Sequence, residues 1–143
     1  MKTLKQIIET KDIKELLTIS PTQTVLEALM VMAEYKIGAL LVTDKDKMVG
    51  IVSERDYARE IILHKKSSKE TLVKDIMTKK VLSLQPSDSF EKGLEIMSEK
   101  KIRHIPVLKG NKIIGMVSQG DLVKEMISHQ KDLISQLESF IQN

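Results

Sequence analysis

Apolar residues in this chain recur at two spacings, a helical one and a near-continuous one, and the succession of the two occurs twice. Val25, Ala28, Leu29 and Met32 follow an i, i+3, i+4, i+7 stripe, which predicts an amphipathic helix, and Thr24 with Glu27 three residues later supplies a capping box at its start. An apolar run at 39–42, a polar turn at 44–47 and a second apolar run at 48–52 then predict a hairpin. Its return strand is apolar at nearly every position, so both of its faces should be covered. A short extended entry at 17–19 precedes the helix and a further helix follows the hairpin, giving β-α-β-β-α. The same succession returns with an entry at 81–84, a stripe of Phe90, Gly93, Leu94 and Met97, runs at 104–107 and 113–117 around a polar turn, and a closing helix.

The repetition is literal. Residues 21–64 align without a gap on 86–129, and 15 of the 44 positions are identical, among them Leu29/Leu94, Met32/Met97, Val42/Val107, Gly50/Gly115, Val52/Val117, Ser53/Ser118 and Asp56/Asp121. Duplication of one supersecondary unit follows. One copy is too small to cover its own apolar surface, so the expected fold is α/β, two β-α-β-β-α repeats packed with pseudo-two-fold symmetry. Expected boundaries are an N-terminal helical segment at 1–17, a first repeat at 18–66, a linker at 67–76, a second repeat at 77–129 and a C-terminal helix extension at 130–143. In that extension Leu133, Ile134, Leu137, Phe140 and Ile141 form an apolar stripe beyond the repeat, which suits either the chain itself or a homodimer contact.

Composition narrows the class. The 143 residues lack cysteine, which removes disulfides and thiolate chemistry, and hold no apolar run long enough for a membrane span. The N-terminus is too charged for a signal peptide, so a cytoplasmic location is expected. Net charge is +3, and the densest basic stretch, residues 65–69, has no aromatic side chain beside it, which disfavours nucleic acid as a partner. His64, His104 and His129 are the candidates for acid–base work, but His64 and His129 match by duplication, sit toward helix ends where a cation suits the dipole and lie far along the chain from either serine, so no catalytic residue is assigned and the chain is expected not to be an enzyme. No metal site is expected either, because Asp44 and Asp46 in their turn have no clustered ligands.

The chemistry concentrates where each return strand meets a helix. Gly50 to Asp56 and Gly115 to Asp121 share the pattern Gly, two apolar residues, Ser, two variable residues, Asp. The serine can cap the helix, free N–H groups and the helix dipole suit an anion, and the aspartate in the first turn can accept from the hydroxyls of a ribose. A capping pattern alone would also use Ser and Asp here, but its recurrence at matched positions, each behind a glycine, favours a nucleotide.

With these two segments, with Lys101-Ile102-Arg103-His104-Ile105-Pro106-Val107 and with Asp75-Ile76-Met77-Thr78, the chain resembles a stand-alone tandem pair of CBS domains, a Bateman module, over roughly residues 14–129. The resemblance implies a regulatory module that binds AMP, ADP or ATP, or with less support S-adenosylmethionine or a dinucleotide, in two clefts, with no catalytic cofactor, and that dimerises. It implies a first site of Thr18, Ile19, Ser53, Arg55, Asp56, Arg103, His104, Ile105 and Pro106. A second would use Gly38, Ala39, Leu40, Ser83, Ser118, Gly120 and Asp121. Arg103-His104 is Gly38-Ala39 in the first copy and Arg55 is Gly120 in the second, so the sites should differ, with phosphorylated nucleotides preferring the Asp56 site. Two other functions are weighed against this: a DNA-associated regulator, suggested by the basic linker, and a ligand-free structural dimer. The regulated protein is not legible in the sequence.

Overall fold

The computed structural model describes residues 2–11 and 16–142; the parts of the expected terminal segments at 1, 12–15 and 143 lie outside the described residues. The fold is α/β, two repeats of strands and helices with a short N-terminal helix and a long C-terminal one. It divides into two compact units, Glu15–Leu82, and Met1–Lys14 with Ser83–Asn143.

In the first unit, β1 (Thr18–Ile19) runs parallel to β2 (Ala39–Asp44), which pairs antiparallel with β3 (Lys47–Ser53). Between β1 and β2 lies α2 (Val25–Tyr35), numbered after a preceding N-terminal helix, α1 (Leu4–Glu9). Thr24 and Glu27 make the predicted reciprocal cap at the start of α2, and Val25, Ala28 and Met32 of its stripe are buried. They meet Leu40, Val42 and Val52 from the sheet. A short α3 (Glu54–Tyr57) follows β3 and continues as a π-helical turn, Ala58–Ile62, in which Leu63 N–H donates to the Ala58 carbonyl five residues back.

Residues 67–76, a linker by composition, do more than connect. Val73 and Ile76 sit in the core of the first unit, Val73 in a 3-10 turn (Val73–Asp75). Thr78 then pairs with Ile51 on the outer edge of β3, their N–H groups and carbonyls exchanging bonds of 2.9 and 3.0 Å.

The second unit repeats the plan with α4 (Phe90–Lys100), β4 (His104–Lys109), β5 (Lys112–Ser118) and α5 (Gln119–Gln142). Its entry segment makes a single bridge, Leu84 to Val107, where the first unit has a two-residue strand. The cause is Pro106. It stands where Leu41 pairs with Thr18 in the first copy, and its carbonyl accepts from Leu84 N–H at 3.1 Å. In a strand the N–H and C=O of one residue point the same way, so the donor that proline lacks is missing on this side.

The wall that residues 73–78 supply to the first unit is supplied to the second by α1. Thr3 bridges Ser89 as Leu72 bridges Thr24, and Leu4 and Ile7 are buried against Phe90, Met97 and Leu122. Leu4 is fully buried, so Leu4→Ala is expected to cost about 2–5 kcal/mol, as a large-to-small core change does. Urea unfolding followed by circular dichroism checks this; a variant as stable as the parent would show that α1 is merely laid on the surface.

Among the described residues no helix is long and apolar enough to cross a membrane.

Candidate functional site

Each hairpin ends at a strand-to-helix junction built by the same local bonds. Ser53 caps α3 with extended backbone, and its Oγ accepts from Asp56 N–H at 3.2 Å while donating to Asp56 Oδ2 at 3.1 Å. Ser53 N–H also donates to Oδ2 at 2.9 Å. Both bonds therefore land on one carboxylate oxygen, Oδ2. The bidentate ribose grip expected from the spacing would require Oδ2 to take a third donor.

Asp56 is 7% exposed, and among the described residues it is the one charged side chain that is buried. Burial pushes its carboxyl above the usual aspartate value, against the lowering effect of the bonds from Ser53 and of Arg59; Glu60 adds a small push upward. A buried carboxylate whose ionisation desolvation opposes, in the first turn of a helix just after a strand, is the kind of environment in which functional groups cluster.

The matched junction is wired differently. Ser118 N–H donates to Asp121 Oδ2 at 2.8 Å and Asp121 N–H to Ser118 Oγ at 3.1 Å, which repeats the cap. Lys11, from the segment after α1, then places its Nζ 3.0 Å from the same Oδ2 and 3.0 Å from the Met116 carbonyl. Asp121 is thus an ion-paired group with a quarter of its side chain exposed. Sequence reasoning missed Lys11, because nothing in the local pattern indicates that the N-terminal segment joins the second unit.

The two β-hairpins set which predicted residues are neighbours inside each unit. Ala39 is the partner of Ser53 across β2 and β3, and Glu54 N–H donates to the Gly38 carbonyl at 3.1 Å. Thr18 and Ile19 pair with Leu41 and Val42, and Leu40 is fully buried. In the second unit His104 is the partner of Ser118, and Gln119 N–H donates to the Arg103 carbonyl at 2.7 Å. Arg103, His104, Ser118, Gly120, Asp121 and Lys11 therefore gather at one hairpin end, and Gly38, Ala39, Ser53, Arg55 and Asp56 at the other. Arg103 is exposed, Ile105 and Pro106 are buried in β4, and Ser83 immediately precedes the bridging Leu84.

The glycines behind the serines answer a need other than ligand approach. A Cβ on Gly50 would lie 2.7 Å from Met77 Sδ and 2.9 Å from the Thr78 carbonyl oxygen. On Gly115 it would meet Ile8 side-chain carbons at 3.1 Å. Both glycines admit the chain's own covering segment.

His129 lies within α5 rather than near a helix end, and its ring meets Phe90 edge-on at 5.9 Å. Among the described residues no cluster of three or more His, Asp or Glu could hold a metal ion.

The sequence profile of the CBS domain matches residues 6–63 and 73–128. The chain belongs to the CBS-domain family. Both matches open inside the covering segments, α1 and the 3-10 turn. The mitochondrial CBS domain-containing protein CBSX3 of Arabidopsis thaliana is 38% identical over 124 residues, 83% of this chain, and this chain spans 60% of that protein. A CBS-domain protein of known structure from Burkholderia ambifaria is 46% identical and superposes with a TM-score of 0.86 over 90% of this chain and 96% of that one. The CBS fold is shared at 22% identity, with a TM-score of 0.79 over 90% of this chain and 98% of the other, by a CBS domain pair solved with 5′-methylthioadenosine and S-adenosyl-L-methionine.

Proposed function

We propose that this CBS pair is a non-catalytic sensor of an adenosine-type nucleotide, with AMP, ADP or ATP preferred, and that Asp56 grips the ribose. The observation that carries the reading is the buried Asp56 carboxylate, held through Oδ2 by Ser53. A helix cap needs only an acceptor, which an exposed side chain supplies as well; burying a charge for it would be a cost without return. Support for the ligand class comes from the fold relative solved with two adenosine compounds. A nucleotide with unequal affinity for two states of the module shifts their balance, and a regulated protein partner that recognises one state reads the result.

The Asp121 junction is assigned the weaker role, because Lys11 already neutralises its carboxylate. Arg55, beside Asp56, is the proposed phosphate contact. Isothermal calorimetry with AMP and adenosine tests the assignment. Arg55→Ala is expected to weaken AMP by about 10-fold or more, the effect of losing one charge-assisted hydrogen bond, and to leave adenosine unchanged. Arg55→Ala should also weaken AMP more than Asp121→Ala does; the reverse order would move the phosphate to the other junction.

A further inference from the structure

The last turns of α5 carry an apolar surface that the two repeats do not use. The helix is 24 residues long, its one fully buried residue is Leu122, and the family match ends at residue 128. Beyond Leu122, Ile127 is 47% exposed, Leu133 46%, Ile134 56%, Leu137 61%, Phe140 81% and Ile141 79%. Contiguous apolar surface of this kind marks an interaction site. Its first turns are rooted in the core through Leu122, so a partner would not have to nucleate the helix.

The spacing specifies the partner. Ile127, Gln130, Ile134, Leu137 and Ile141 recur at alternating steps of three and four, the seam of a two-helix coiled coil. Leu133 and Phe140 flank that seam on one side, and Lys131 and Glu138 on the other. In a parallel pair the apolar flank of each helix would face the charged flank of its mate. In an antiparallel pair like flanks meet. With the two-fold axis between Ser135 and Gln136, Ile134 faces Leu137, Ile141 faces Gln130, Leu133 lies beside Phe140, and Lys131 is brought opposite Glu138. Both charge pairs form at once, because the two-fold makes the surface its own complement.

We infer that the C-terminal part of α5 is a self-association element that pairs antiparallel with the same helix of a second copy of this chain. The polar Gln130 within the seam fixes the register, since sliding by a turn would set it against a different layer. Ligand occupancy at Asp56 has no part in this pairing, so it stands apart from the nucleotide reading.

Sedimentation velocity at tens of micromolar is expected to give a dimer. Leu137→Asp, at an exposed position, should give a monomer with unchanged helical circular dichroism. Lys131→Glu should deplete the dimer, and Lys131→Glu combined with Glu138→Lys should restore it. The chain has no cysteine, so single-cysteine proteins report orientation. Gln130→Cys mixed with Ile141→Cys should crosslink to each other and neither to itself. A monomeric parent, a Leu137→Asp protein that stays dimeric, a charge reversal without restoration, or crosslinks of each variant to itself would overturn the inference.

Discussion

Asp56→Asn is expected to lower the affinity for AMP by about 10- to 100-fold, the range for one hydrogen bond to a charged group, while leaving the protein folded. Asparagine keeps an oxygen that can accept from Ser53 N–H and Oγ, so the cap of α3 survives. What is lost is the charge. The same substitution has a signature without ligand. Burial raises the Asp56 pKa in the folded protein, so over the interval from the ordinary aspartate value to the raised one the folded state binds more protons than the unfolded chain. Stability from this group therefore falls as pH rises through that interval. Asparagine does not titrate, so the stability of the variant relative to the parent should climb through the interval and level off above it. Asp88 and Glu27 are shifted downward, chiefly by the backbone bond to Gln85 and the side-chain bond to Gln23 respectively, but both proteins share them and the difference cancels them. Calorimetry and urea unfolding at several pH values give the two readouts. A variant that binds AMP as the parent does, or a difference profile that is flat with pH, would end the case for Asp56.

Gly50→Ala is expected to destabilise the protein by about 1–3 kcal/mol, as overpacking a tight contact does, and Gly115→Ala by clearly less. The new Cβ at Gly50 points at the Thr78 carbonyl oxygen, which cannot withdraw without breaking its bond to Ile51 N–H. At Gly115 the nearest atoms are Ile8 side-chain carbons at 3.1 Å, so the neighbour need give by only a few tenths of an ångström. Urea midpoints for the two variants decide the ranking, and equal midpoints would mean that the segment at 77–78 is loosely held.

The duplication made most of this fold legible. Stripes such as Val25, Ala28 and Met32 and the Thr24–Glu27 cap depend on neighbours a few residues away, which a sequence displays directly. The junctions at Ser53 and Ser118 were legible for the same reason, down to the three-residue spacing that lets serine and aspartate bond each other. Burial of Asp56 was not, because it depends on how the rest of the fold covers that junction. Lys11 was hidden as well. It reaches Asp121 from 110 residues away in the chain, and a lone lysine in a polar stretch carries no mark of its destination. The glycines illustrate a right residue read for the wrong reason: both need close approach, but the approaching group is the chain itself.

The exchange of covering segments sets an order of events during synthesis. Among the described residues, those that pack the first core all lie within one contiguous stretch, Glu15–Leu82, so that unit can close as soon as its own end has left the ribosome. Helix α1 is made earlier still, yet Phe90, Met97 and Leu122, against which it packs, are made only after that unit is complete. Helix α1 is translated before the first unit yet finds its place after it, and until then Leu4 and Ile7 stay uncovered. Holding them back from the first core is a demand on the nascent chain that neither finished unit reveals.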